Sequence, residues 1–331
     1  MRLELLSLLR CPQSGLPLSL EPGAISQRAT GEIESGWLLS ADRKRRYAIR
    51  GGIPRFVPES NYADSFGMQW NRFAKTQLDS HSGHPISAER FWRATGWRPE
   101  DMRSRWVLDV GCGSGRFAEV ALSTGAQVVA LDYSSAVDAC YANLRHHRSL
   151  HVVQGDIYAL PFEANSFHFV YCLGVLQHTP DVERAFSALP RVVAAEGGRL
   201  CAESYLRSWK MWLLPKYWLR PITKQLPKER LFFILERWVP PLLSISRTVA
   251  RVPFAGKYLK RLVPVANDEG IFPLTERQLC EWALLDTFDW FSPEYDQPQS
   301  SSTMARWFRN AGFVDVEVRK IVLLTGRGRK P

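Results

Sequence analysis

The sequence predicts an α/β protein organised on a mainly parallel sheet with helices on both faces. Two observations predict it. Between residues 106 and 203, apolar runs of strand length alternate with helical stretches, the pattern a parallel sheet requires because its crossover connections are helices. Within that region "VLDVGCGSGRF" (107–117) ends a strand near an acid and turns through three alternating glycines into a helix. At such strand ends open α/β sheets hold their ligands.

The elements follow in order. Residues 1–60 are short, turn-rich and β-like, with "GLPLSL", "GWLLSADRKRRYAIRGGIPRFVP" and frequent Gly and Pro breakers, so a small separate module is expected. From Asp64 to Arg105 the pattern turns helical and aromatic, in "SFGMQWNRFAKTQ" and "SAERFWRATGW". The sheet region then runs through "WVLDV", a helix from about 115, "QVVALD", a helix from Ser134, "LHVVQGD", "FHFVYCL", a helix from about 181 and "GGRLCAESY". Residues 204–300 form a helical, basic, aromatic insert. The helix "SSTMARWFRNAG" and the strands "FVDVEVRK" and "IVLLTG" return to the sheet, so 61–203 and 301–331 are expected to make one domain.

Composition narrows the class. With 331 residues, 45% of them hydrophobic and 12% aromatic, the chain can bury a large core. Six cysteines without a C-x-x-C pair fit reduced thiols in a cytoplasmic protein. The opening "MRLELLSLLRCPQSG" meets Arg10 and Pro12 and lacks a small-residue cleavage site, so no signal peptide is expected. No window approaches the roughly 18 to 20 apolar residues of a membrane span, which leaves a soluble protein or one lying peripherally on the inner face of a membrane. The formal charge of +10 is concentrated: residues 204–265 hold thirteen Lys or Arg against Glu229 and Glu236, and the remainder is nearly neutral. Because that segment is also crowded with aromatic and aliphatic residues, its partner is expected to be apolar and anionic at once.

The glycine turn permits close approach of a ligand to bare backbone, with its N–H groups expected to face outward. The next strand ends in Asp132, about 20 residues on, where a carboxylate accepts from ribose hydroxyls. The third ends in Gly155-Asp156, placed for the exocyclic amine of a base, with Ile157 packing on the base's face. Either acid alone also suits a helix cap.

Together, "VLDVGCGSGRF", "VVALDYS", "GDIYALPF" and "FHFVYCLGVLQHTPD", and later "WFRNAGFVDVEV", resemble the class I S-adenosylmethionine-dependent methyltransferases, in particular the branch that includes the quinone-biosynthesis enzymes. The resemblance implies a Rossmann-like seven-stranded sheet with an antiparallel last strand and S-adenosylmethionine as cofactor. It places Gly111 and Gly113 against the methionine part, Asp132 on the ribose and Asp156 on the adenine, with Asp109, Cys112, Tyr133, Gly155 and Ile157 as further cofactor-binding residues. Leu173 and Gly174 join the same set. The implied activity is methyl transfer to an O or C atom of a bulky apolar or lipid-linked small molecule. RNA methylation, suggested by the charge, is the alternative, and a catalytically silent cofactor-binding partner subunit is a second.

Residues 1–60 resemble, more loosely, the small zinc-ribbon-like domain found free as a methyltransferase activator or fused to methyltransferases. Only Cys11 stands where metal-holding members pair cysteines, and Gln13-Ser14 follow; structural zinc needs about four N or S ligands, so a metal-free module is expected. His178, just past the fourth strand, is the candidate catalytic base because imidazole titrates near neutrality; capping or packing at the next helix is its other reading. Asp181 after Pro180 reads as a helix N-terminal residue. Trp209, Trp212, Trp218, Trp238 and Phe232 form either the insert's own core or an apolar face. Lys216, Arg220, Lys224 and Lys228 are the cations expected to meet an anionic surface.

Overall fold

A computed structural model describes residues 1–23, 25–58 and 61–331. Twelve strands form one sheet: β1 (Leu18–Leu20), β2 (Ser26–Gln27), β3 (Ile33–Ser40), β4 (Arg46–Arg50), β5 (Ile53–Arg55), β6 (Trp106–Val110), β7 (Gln127–Asp132), β8 (Leu150–Gln154), β9 (Phe169–Cys172), β10 (Arg199–Ser204), β11 (Val314–Lys320) and β12 (Leu324–Arg329). Their order is β1-β3-β4-β5-β8-β7-β6-β9-β10-β12-β11, with β2 beside β3. From β8 to β10 every pairing is parallel. The last strand, β12, runs antiparallel between β10 and β11. This is the expected α/β class: a Rossmann-like sheet of seven strands, β6 to β12, whose final strand is reversed.

The parallel strands are near-continuous apolar runs because both faces are covered. Leu108, Val110, Val129, Leu131, Val153 and Val170 pack to one side, and Val107, Val128, Ala130, Val152 and Tyr171 to the other. The second layer comes partly from helix Arg116–Ser123, which begins at the glycine turn, and helix Ala136–Leu144. Helix Val182–Val192 begins as expected: Asp181 accepts from the Arg184 N–H at 3.0 Å and caps it.

The N-terminal strands, expected as a separate module, instead continue the sheet. Strand β5 pairs in parallel with β8 through Arg55 and Gln154, and the Phe56 N–H donates to the Gln154 carbonyl at 2.8 Å. An exposed β8 edge is thereby paired. Leu5, Leu9, Leu38 and Ile49 share one core with Leu131, Val153 and Phe162. Cys11 is buried, with its Sγ 3.1 Å from the Tyr47 hydroxyl. Among the described residues no three His, Cys, Asp or Glu side chains gather to hold a metal.

The insert is helical, its main helices being Pro215–Thr223, Lys228–Ala250 and Glu276–Phe291. Its two ends are tied beyond β10: Leu206 bridges Gln299, and Arg207 N–H donates to the Gln299 carbonyl at 2.8 Å. Phe232 lies in its core with Leu231, Leu235, Val239, Phe288 and Phe291. Trp209, Trp212, Trp218 and Trp238 are exposed instead, so the five aromatics divide between core and surface. Of the four cations expected to face an anionic surface, Lys216 and Arg220 are buried against Asp296. Lys224 pairs with Glu294 at 3.4 Å, and Lys228 donates to the carbonyls of Lys224 and Ser292. The physical reason is a contact distant in sequence: the segment after helix Glu276–Phe291 supplies acids and carbonyls, and these cations hold it down.

Candidate active site

The carboxyl ends of β6, β7, β8 and β9 open on a cavity of about 350 Å³. Helix Asp64–Arg72 closes one side with Phe66, Gln69 and Trp70, and helix Glu276–Phe291 roofs it with Leu285, Asp286, Asp289 and Trp290. Of the residues named from sequence, Gly111, Cys112, Gly113, Asp132, Tyr133, Gly155, Ile157, Leu173, Gly174 and His178 all line this cavity.

Two do not. Asp109 is buried beneath the floor, near Tyr171, with its Oδ2 lacking a partner. Burial raises its carboxyl well above the usual range. Asp156 is not part of the lining, and its carboxylate accepts from the Tyr158 N–H at 2.9 Å, capping the turn Ile157–Ala159. Both stand at strand ends, as expected, but neither carboxylate is part of the cavity lining.

The glycine turn also differs from expectation. The N–H groups of Gly111 and Cys112 donate to the Leu131 carbonyl at 2.7 and 3.0 Å, and that of Gly113 donates to Asp132 Oδ2 at 3.0 Å. They fasten the turn to the end of β7 and do not face outward. Glycine is nevertheless required. Gly111 has φ +83°, and a Cβ there would lie 2.3 Å from Val175 Cγ2; Gly113 has φ +53°, and its Cβ would lie 3.1 Å from the Trp70 ring. Gly115 supplies a third left-handed turn residue, at φ +96°.

Asp132 sits where the turn meets the cavity. Its Oδ1 accepts from the Ser134 N–H and hydroxyl at 2.8 and 2.7 Å. Burial raises its pKa, and the bonds from Ser134 and Gly113 oppose that shift. Along the wall, Gln69 is fully buried with neither amide atom partnered, and the Gln177 carbonyl oxygen is likewise unpartnered. Such buried groups carry a desolvation cost that a ligand's polar atoms would remove.

The wall and roof carry charge that the sequence pattern does not assign to the site. Arg116 is buried, donating from Nε to Ser87 Oγ at 2.9 Å and from Nη1 to Gln77 Oε1 at 2.8 Å. Its pKa is pushed down to about 9, by burial and then by Arg90. Arg90 in turn pairs with the buried Glu203 at 2.9 Å. Asp286 is raised well above the carboxylate range by burial, with Asp268 and Asp289 adding to the effect. Only the aromatic helical spacing of "SFGMQWNRF" hinted at the cavity wall; the insert's acids gave no signal, since their place depends on how the insert folds back.

His178 occupies the cavity's edge. Its Nδ1 lies 3.0 Å from the Tyr295 carbonyl. A carbonyl only accepts, so Nδ1 carries the hydrogen and Nε2 of the neutral ring keeps a lone pair. Burial lowers the imidazole's pKa, holding the ring neutral. Tyr205 stands edge-on to it at 5.6 Å between centroids, with its hydroxyl 3.3 Å from Asp289 Oδ2.

Comparison with known proteins agrees with the geometry. Residues 108–201 match the family model described as "Methyltransferase domain". Over this stretch the chain is similar to methyltransferase domains. A ubiquinone biosynthesis O-methyltransferase of Coxiella burnetii is 28% identical over 129 residues, 38% of this chain and 55% of that protein. A demethylmenaquinone methyltransferase of Thermobifida fusca is 35% identical over 127 residues, covering 37% and 53% of the two chains. A sterol 24-C-methyltransferase of Gibberella zeae is 38% identical over 96 residues, covering 28% of this chain and 25% of that one. The chain thus spans about half the length of the first two relatives. S-adenosylmethionine is the cofactor that the methyltransferase fold implies, and the residues present fit it: a glycine turn closed to any Cβ, an acid at the end of β7, and unpartnered amides in the cavity wall.

Proposed function

We propose that this chain is a methyltransferase that moves a methyl group from S-adenosylmethionine to an O or C atom of a bulky apolar or lipid-linked small molecule. The observation that carries the reading is one cavity holding the glycine turn, Asp132 and His178, walled by Phe66 and Trp70 and roofed by the insert. When bound, S-adenosylmethionine supplies an electrophilic methyl on its sulfonium. The chain's part is to position and to exclude water.

On this reading Gly111, Cys112 and Gly113 shape the floor for the cofactor's methionine part. Asp132 accepts from its ribose, and Ile157 packs on its adenine. His178 Nε2, unprotonated and buried, takes the proton of an acceptor hydroxyl as its oxygen is methylated; a carbon acceptor would use it similarly. Phe66, Trp70, Leu285 and Trp290 exclude water and give an apolar acceptor its contacts. The names of the relatives, which refer to ubiquinone, menaquinone and sterol methylation, support an apolar acceptor. Peripheral contact with an anionic membrane belongs to the same reading, since such acceptors reside in bilayers.

RNA methylation is the weaker alternative. It drew on the insert's charge, and two of those cations, Lys216 and Arg220, are interior. The test is a metabolite comparison of wild-type and deletion cells grown on isotope-labelled methionine. Loss of label from one apolar molecule supports the proposal; loss from an RNA nucleoside alone overturns it.

A further inference from the structure

The outer surface of the insert is unusually apolar for a solvated face. Phe233, Ile234, Trp238 and Ile245 of helix Lys228–Ala250 are all exposed. The opposite side of the helix, through Leu231, Leu235, Val239 and Leu243, is the one packed in the core. Ile234, Trp238, Pro241 and Ile245 follow one another at helical spacing, so they form a single stripe. The segment after the helix is apolar at its surface as well: Val252, Tyr258, Leu259 and Leu262 are exposed. At its tip Phe254 is 99% exposed with φ +60°. A bulky residue in the left-handed region, with its ring wholly in water, is doubly disfavoured.

Charge on the same surface has one sign. Between Glu236 and Asp268 the chain contains no acid. Glu236 pairs with Arg72, and Arg247 with Glu269 and Glu276. Arg230, Arg237, Arg251, Lys257 and Arg261 have no carboxylate partner among the described residues. Arg230 and Arg237 share the exposed side of the helix with Phe233 and Ile234. Among the described residues no helix is long and apolar enough to cross a membrane, and an amphipathic surface of this kind suits the interface of a bilayer.

We propose that the exposed face of helix Lys228–Ala250 and the following turn, with Phe254 as its tip, docks on an anionic lipid bilayer. The inference rests on the methyl-transfer reading for its purpose, since it brings the chain to a surface where apolar acceptors dissolve. It differs from the surface expected from sequence, because Lys216, Arg220, Lys224 and Lys228 are engaged within the protein. A second copy is disfavoured as the occupant: five unpaired cations would meet their own kind. RNA would use the cations but leave Phe254, Ile234 and Trp238 in water.

The experiment is co-sedimentation of the full chain with phosphatidylcholine vesicles, with and without phosphatidylglycerol. Calorimetric S-adenosylmethionine binding is measured on each variant as an independent check of fold and of the proposed function. Wild-type protein is expected to sediment with the phosphatidylglycerol vesicles. Arg237→Gln with Lys257→Gln and Arg261→Gln should weaken that partition on the order of a hundredfold. Phe254→Ser with Trp238→Ser should remove the part that persists at high salt. Both variants should keep cofactor binding. Equal recovery with and without phosphatidylglycerol overturns the docking proposal, as does binding insensitive to both sets of substitutions. So does a concentration-dependent dimer abolished by Phe254→Ser in a protein that ignores vesicles, or preference for structured RNA over vesicles. If wild-type protein docks but fails to bind S-adenosylmethionine, the docking proposal stands and the methyl-transfer reading falls.

Discussion

The imidazole Nδ1 of His178 donates to the backbone carbonyl of Tyr295 at 3.0 Å, joining the exit of the fourth parallel strand to the base of the insert. One bond therefore sets the histidine's tautomer and couples it to the lid.

A pH dependence follows. If Nε2 is the base, activity requires the neutral ring, and burial lowers its pKa below the ordinary 6.5. The acid limb of kcat/KM should lie below pH 6.5 and the rate should stay flat above it, because the neutral form is already dominant. His178→Gln should cut kcat by about 10² to 10⁴ and abolish that limb while leaving S-adenosylmethionine affinity within threefold or so, about 0.6 kcal/mol. An unchanged acid limb in the variant would assign the titration to another group.

The glycine turn predicts a graded loss. Gly111→Ala forces a side chain to φ +83° with its Cβ 2.3 Å from Val175, at a cost of about 1 to 3 kcal/mol for the backbone conformation before any clash. Adding Val175→Ala should relieve the contacts with the two Val175 methyls, leaving its Cβ at 3.0 Å, but not the backbone strain. Asp132→Ala should weaken S-adenosylmethionine binding by about 1.5 to 3 kcal/mol through the lost charged acceptor. Calorimetry on the single and double variants separates these contributions; unaltered affinity in Asp132→Ala would remove that acid from the site.

Much of this was legible because it is local. The glycine turn, the strand ends and the Asp181 cap depend on residues within a few positions of one another, and ten of the named cofactor and catalytic residues line one cavity. Asp109 and Asp156 stand outside that lining because a strand end fixes where a residue is, while its rotamer and neighbours fix where its carboxylate points. The turn's N–H groups were misread for a related reason: Leu131 and Asp132, on the next strand, take them. Least legible was the insert. Arg220 meets Asp296 across 76 positions, and composition alone cannot distinguish such an interior cation from the exposed Arg237.

A stability prediction rests on His151. The side chain is buried on β8, both ring nitrogens lack partners, and its pKa is pushed down to about 4, chiefly by burial. The folded state stays neutral while the unfolded chain binds a proton below pH 6.5, so this group's contribution is complete above 6.5 and is lost as pH falls toward 4. The loss is about 1.4 kcal/mol per pH unit and totals about 3 kcal/mol. Urea midpoints of wild type and His151→Leu should diverge progressively between pH 7 and 4.5, the wild type falling faster. Parallel curves would show that another group governs the acid limb.

The clamp under the lid gives the last prediction. Asp296 is buried between Arg220 and Lys216, and Arg220 Nη2 also donates to the carbonyls of Pro293 and Tyr295 at 2.8 and 2.6 Å. Tyr295 is the residue whose carbonyl orients His178, so the clamp and the candidate base share one backbone group. Arg220→Met keeps volume but leaves Asp296 without its close partner, which for a buried pair costs about 3 to 5 kcal/mol. Lys224→Ala removes a partly exposed pair with Glu294 and should cost less than about 1 kcal/mol. Adding Asp296→Asn and Lys216→Met to Arg220→Met should restore part of the stability, since no member of the buried cluster is then left as an unpaired charge, but not the two carbonyl bonds. Thermal unfolding reads the first effect. The second is read by kcat, which should stay low in the triple variant because Tyr295 is no longer held. Full recovery of both would mean the clamp serves stability alone.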